Sequence, residues 1–373
     1  MRTHPSEAGF SLLELLVATA ISLAVIGTAM TTFKDAVAMN ETATNQADAS
    51  QNLRSGTNFL VRDFVSAGRL IPTGGISIPS GTGSGPIKRP SPPAVSPLPF
   101  VQLYFNNTSA TTLTAVVTGQ SKGPQVDSQP TDMVTISWID PILDDCLGNA
   151  LQVQPVGTGG NVPVMAAGGV SFSVGTNVGC VGISGTWLAG SGADAQAAVQ
   201  QGDLILFTDP NGKNAIQTVT RTDATNVYFE VNTNDTFGFN QRTAAAGSIT
   251  QILGPALTAQ RVLMYTYYVD ATSMGAPHLM RQLNNYPAQA LAGIVEDLQL
   301  TYDIVDGTVN PTDVTDLPYT LNGTTYSANQ IRKVNVHVGV RSEAMSSRTH
   351  DYLRSHMSTV VSLRSLAFVD RYK

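Results

Sequence analysis

Charge is scarce in this chain. Asp, Glu, Lys and Arg make up only 13% of its 373 residues, and the net charge is −6. An acidic balance excludes a general nucleic-acid binder, which needs a basic surface to displace counterions, but it leaves room for a local basic patch. Cysteine is scarcer still: Cys146 and Cys180 stand alone, with no C-x-x-C and no Cys/His cluster around them, so redox and zinc motifs are absent. In an exported chain the two cysteines would pair, closing a loop worth about 3.8 kcal/mol in the chain-entropy description. In the cytosol they would be two unpaired buried thiols. Catalytic signatures are also missing. There is no G-x-S-x-G elbow and no H-E-x-x-H pair, and "DPNGKN" has Asn214 where a P-loop needs Ser or Thr. His4 lies near the start, His337 falls on the polar side of an expected strand, and His278, His350 and His356 fall near expected loops or strand ends. We expect no enzyme, while noting that groups distant in sequence can meet in space.

Proline is absent between Pro5 and Pro72, so one helix can run from about Phe10 to Leu70. Residues 10–33 contain no charge except Glu14 and, at ~1.5 Å per residue, span ~36 Å against a hydrocarbon core of ~30 Å. A cleaved secretory signal ending at Ala18–Ala20 is the alternative, but "ISLAVIGTAM" continues apolar where mature sequence should turn polar. A carboxylate within such a run costs a few kcal/mol and calls for a partner. A cut between Gly9 and Phe10 would create an α-amino group four residues from Glu14, and on a neighbouring copy that amine could lie beside the carboxylate. Otherwise Glu14 simply snorkels to the interface. Residues 34–70 continue as an amphipathic helix, with Leu53, Leu60 and Phe64, and Thr57 and Val61 between them, forming a stripe for a sheet to cover. Gly27 and Thr31-Thr32 are weak helix formers that would loosen its middle.

Residues 71–100, rich in Pro, Gly and Ser, read as an irregular connection. Residues 101–373 read as β-rich. Asn211-Gly212 and Asn322-Gly323 are hairpin signals. Leu298, Leu300, Tyr302 and Ile304 share one strand face, and Val334, Val336, Val338 and Val340 share another. The predicted class is α+β: a long N-terminal helix, transmembrane then amphipathic, packed on a mainly antiparallel β-sheet domain with a large β-rich insertion.

The leader and "GFSLLELLVATAI" resemble the class III signal of type IV pilins and type II secretion pseudopilins. The resemblance implies that residues 1–9 are a leader peptide, that a prepilin peptidase cuts after Gly9 and N-methylates Phe10, and that Glu14 pairs with the amine of an adjoining subunit during assembly. "RVLMYTYYVD", "IVEDLQLTYDI", "IRKVNVHVGVRS" and "TVVSLRSLAFVDRY" resemble the closing sheet of PilW-type minor pilins, with pseudopilin J of type II secretion sharing much of the layout. Residues 71–200 carry no such likeness. The implied protein is a minor pilin that helps prime a type IV pilus, at or near its tip. It would be held by one inner-membrane helix, with a periplasmic β domain linked by Cys146 and Cys180. Its expected partners are other minor and major pilins, the prepilin peptidase, the inner-membrane assembly platform and the membrane itself. A type II secretion pseudopilin is the runner-up, ahead of a membrane-anchored adhesin or a periplasmic enzyme.

No cofactor is expected. Two oxygen-rich loops offer hard-cation ligands for calcium, one through Asp306, Asn310, Asp313 and Asp316, the other through Asn232, Asn234 and Asp235, but neither has EF-hand spacing. From Arg341 to Lys373 six Lys/Arg face three acids, with Arg348 and Arg354 as candidates for DNA contact; interleaved charges of this kind are usually a solvated face.

Overall fold

The computed structural model describes residues 10–72, 74–90, 111–141, 143, 149–155, 163–174, 187–188, 198–271, 276–347 and 349–367. Helix α1 (Leu12–Ser66) has no proline to interrupt it, and it passes through Gly27 and Thr31-Thr32 without a break. The threonine hydroxyls donate back to the helix: Thr28 to the Val25 carbonyl, and Thr31 and Thr32 to that of Thr28, at 2.8–2.9 Å. Groups that would be costly in an apolar surrounding are thereby satisfied within the segment.

Five short strands follow: β1 (Ile76–Ser77), β2 (Thr112–Leu113), β3 (Val116–Val117), β4 (Gln125–Val126) and β5 (Gln129–Pro130). Then come β6 (Val134–Ile139), β7 (Leu151–Val153), β8 (Val164–Met165), β9 (Ser171–Ser173), β10 (Leu204–Thr208), β11 (Asn214–Thr218), β12 (Arg221–Thr222) and β13 (Asn226–Tyr228). The chain closes with β14 (Leu257–Asp270), β15 (His278–Leu283), β16 (Gln289–Ile304), β17 (Tyr319–Leu321), β18 (Thr324–Tyr326), β19 (Ile331–Met345) and β20 (Tyr352–Ser362). The fold is α+β and its sheets are mainly antiparallel, as the sequence predicts. Both Asn-Gly turns close hairpins, β10 with β11 and β17 with β18. In the second turn Asn322 and Gly323 both take positive φ, the conformation a two-residue type I′ loop demands.

Two units make up the chain: one is the helix up to Gln51 with Arg341–Ser355, and the other is Asn52–Val340 with the residues from His356 onward. In the second unit β14 is the hub. Val262 pairs with Leu204 of β10 and with Ile139 of β6, and Tyr265 pairs with Leu283 of β15 and with Ile136 of β6. A residue has only two strand edges, so β10 and β15 share one edge of β14 and β6 takes the other. From β15 the sheet continues through β16 and β19 to β20. The predicted strand faces are core: Leu298, Leu300, Tyr302 and Ile304 of β16 and the four valines of β19 are all buried.

Strand β10 is covered on both sides. Ile205 and Phe207 face a cluster with Phe172 and Val227 of the four-stranded sheet β12-β13-β9-β8, while Leu204 and Leu206 face Ile76, Ile78, Ile87, Phe237 and Phe239. Residues 74–90 are therefore not a free connection. They lend three isoleucines to the core, and Ser80 bridges Ala246. Gly247 makes that approach possible, because a Cβ there would stand 2.2 Å from the Ile78 carbonyl oxygen.

The part of α1 in this unit packs by the expected stripe. Leu53, Thr57, Leu60 and Phe64 are buried, and Gly56, Asp63 and Ala67 complete the face at i, i+3, i+4 spacing. Val61 is only half-buried. Gly56 is the point of closest approach, where an added Cβ would meet Ala292 Cβ at 3.0 Å and Leu279 Cδ2 at 3.1 Å. Burial of Leu53, Leu60 and Phe64 contributes roughly 1.5–3 kcal/mol each.

Candidate functional site

The helix start is built from Ser11 and Glu14. The Ser11 N–H donates to Glu14 Oε2 at 2.9 Å, and the Glu14 N–H donates to Ser11 Oγ at 3.2 Å. This reciprocal pair is a capping box, which satisfies two donors that a helix N-terminus otherwise leaves orphaned. Glu14 thus has a local task, and the signal for it was present in the sequence as "SLLE", a Ser three residues before a Glu. The box occupies one carboxylate oxygen with one N–H. The other oxygen stays available as an acceptor.

On both sides of Glu14 the helix is apolar all round and uncovered. Leu12, Leu13, Leu15, Leu16, Ile21, Leu23, Val25, Ile26, Met30 and Phe33 are each more than half exposed. A helix apolar on every face belongs in hydrocarbon or among other helices. Covering those ten side chains is worth on the order of 15–30 kcal/mol. By length and composition, this is one helix able to cross a membrane. Phe10, the first described residue, is 89% exposed. Gly9, Cys146 and Cys180 lie outside the described residues, as do Arg348 and His4.

Farther along α1, Asp63 joins helix to sheet. Its carboxylate is buried, and Oδ2 accepts from Arg281 Nε and Nη2, both at 2.7 Å, and from the Tyr267 hydroxyl. Burial, with the Asp63 charge beside it, pushes the Tyr267 phenol well above its ordinary range. The Arg281 guanidinium also lies over the Tyr265 ring at 3.5 Å, and Tyr265 stacks on Trp138 with ring centres 4.8 Å apart. Asp63 was not singled out from sequence. An acid at a stripe position, three residues from Leu60, was its only signal.

In the two oxygen-rich loops many of the side-chain oxygens accept hydrogen bonds from their own surroundings. Asp306 Oδ1 accepts the N–H groups of Thr308, Val309 and Asn310, while Oδ2 accepts the hydroxyls of Thr308 and Tyr326. These bonds, with that from Thr308 N–H the largest cause, hold the Asp306 carboxyl well below the usual aspartate range. Asn310 Oδ1 takes the N–H groups of Asp306 and Gly307, Asp313 Oδ1 takes the side chains of Thr301 and Asn335, and Asp316 takes the Thr118 hydroxyl. In the other loop Asn232 Oδ1 accepts from Asn234 N–H, and Asp235 accepts from the N–H groups of Gly238, Phe239 and Asn240. Among the described residues no three His, Cys, Asp or Glu side chains converge as a metal group.

In the basic stretch Arg341 lies over the Tyr352 ring at 3.9 Å and Arg354 is 4.0 Å from Asp351. Those charges are already engaged within their own strand hairpin. His278 Nδ1 sits 2.6 Å from the Ala276 carbonyl at the start of β15, and His350 occupies a turn at positive φ. His356, expected near a strand end, instead lies inside β20 beside His337.

No protein-family profile, curated protein or solved structure matches this chain.

Proposed function

We propose that the protein is a minor pilin of a type IV pilus, made as a preprotein, cut after Gly9 and anchored by α1 in the inner membrane, with its β domain in the periplasm. The observation that carries the reading is the helix itself: a membrane-length run, apolar on every face and uncovered, with one charge, Glu14, less than a turn from its start. Its work is packing, not catalysis. Covering by lipid before assembly and by neighbouring helices afterwards recovers the same apolar area, so transfer between the two is close to neutral. Pairing of Glu14 with a terminal amine then sets the axial register. A β domain of this size suits a place at or near the tip more than a repeating shaft position.

Glu14 allows a sharp test because it has two separable roles. Glu14→Gln keeps an acceptor for the Ser11 N–H, and so the capping box, but removes the charge. Glu14→Leu removes both. If assembly rests on the carboxylate and amine, both variants are processed normally and both fail to enter a filament. Normal incorporation of Glu14→Gln would show that capping suffices and would remove the pairing. Cleavage is tested separately, by intact mass with and without prepilin peptidase, where an N-methylated Phe10 that depends on the peptidase is the expected product. A pseudopilin of type II secretion gives the same results at Glu14 and Phe10. It is separated by its neighbours: a secretin and exported hydrolases in place of a retraction ATPase and other minor pilins.

A further inference from the structure

We propose that His337 and His356 bind one divalent transition-metal ion, such as zinc or nickel, on the solvent face of the β19/β20 strand pair. Strand β19 alternates cleanly, so while Val334, Val336 and Val338 enter the core, His337 stands on the opposite face, half-buried, with Gln299 of β16 as its cross-strand neighbour. His356, on the adjacent strand, is exposed.

The two imidazole ring centres are 5.6 Å apart with the planes inclined at 34°. With metal–nitrogen bonds of ~2.0–2.1 Å and roughly 1.1 Å from nitrogen to ring centre, two imidazoles on one ion have ring centres about 4.5 Å apart at a right angle and about 5.2 Å apart at the tetrahedral angle. The observed spacing therefore lies within a few tenths of an ångström of the tetrahedral value, and rotation of the exposed ring covers the remainder.

A second contact supports the site. His337 Nδ1 is 2.9 Å from Ser358 Oγ. With the Nδ1 proton donated to Ser358, the lone pair of Nε2 is left for a metal, the arrangement by which a second partner fixes the ligating tautomer of a histidine. Neutral imidazole is a ligand for zinc, copper and nickel, while calcium and magnesium prefer oxygen, so the pair selects a transition metal. The two histidines fill two positions of the coordination shell and water fills the rest.

The test is a zinc titration of the full chain in detergent after removal of metals with a chelator, read by calorimetry at neutral pH. We expect one zinc per chain, with uptake reduced to the level of the double variant by either His337→Ala or His356→Ala, weakened by Ser358→Ala, and unchanged by His278→Ala. Uptake should weaken as the solution is acidified, because a protonated imidazole has no lone pair to give. Absence of uptake with zinc well in excess of protein, or equal uptake by the wild type and the double variant, would overturn the site. Glutamine replacements at both positions, with melting curves recorded without metal, guard against misfolding of the alanine variants.

Discussion

Asp63→Ala should cost about 3 kcal/mol of stability. The side chain of Asp63 is 3% exposed and that of Arg281 17%, so removal of the acid strands a largely buried guanidinium and leaves the Tyr267 hydroxyl without its acceptor. Breaking one side of a buried ion pair costs ~3–5 kcal/mol. The lower end applies because Arg281 keeps its seat on the Tyr265 ring and its 3.0 Å bond to the Tyr267 oxygen. Removing both charges at once should be far milder: Asp63→Leu with Arg281→Met should fall within ~1 kcal/mol of wild type, since a well-packed apolar pair dispenses with desolvation. The measurement is urea unfolding of the full chain in detergent for Asp63→Ala and for the cycle of wild type, Asp63→Leu, Arg281→Met and the double. A loss under ~1 kcal/mol for Asp63→Ala, or a double variant as unstable as the sum of the singles, would refute the claim that this buried pair ties helix to sheet.

Other expectations follow from individual contacts. Gly56→Leu should destabilise by at least ~1–3 kcal/mol in the same unfolding assay, because Ala292 and Leu279 leave no room above the helix backbone. Calcium should leave the melting temperature unchanged, since Asp306, Asn310 and Asp235 already accept several hydrogen bonds within their own loops; a rise of several degrees would contradict this. The folded Asp306 carboxyl titrates below its unfolded value of 3.8, so its stabilising effect is fully present above that pH and is lost as pH falls through the lower folded value. Amide exchange at Thr308, Val309 and Asn310 should accordingly accelerate relative to the core only below about pH 4, and Asp306→Ala should remove the dependence. A chain beginning at Lys34 should stay in solution without detergent, whereas the full chain should not, which is checked by sedimentation with and without micelles.

Periodicity and sterics alone determined a good deal of this protein. The absence of proline between Pro5 and Pro72 meant one helix, the unbroken apolar run meant a covering of lipid or other helices, and strict alternation in β16 and β19 placed their core faces correctly. Two Asn-Gly pairs marked two hairpins: at Asn322-Gly323 both residues take positive φ, and in the five-residue loop around Asn211-Gly212 the glycine does. These are local properties, read within a few residues of each other. What lay outside their reach was everything set by distant partners. Asp63 drew no notice in the sequence, because its partners Arg281 and Tyr267 lie more than two hundred positions away. Residues 74–90 read as a connection because composition carries no information about which sheet will need three isoleucines. His337 and His356, nineteen positions apart, became neighbours only through the pairing of β19 with β20. The sequence determined which segments are helix or strand and which faces are apolar; tertiary structure decided which charges, hydroxyls and imidazoles meet, because those meetings depend on strand order and register that no local pattern encodes.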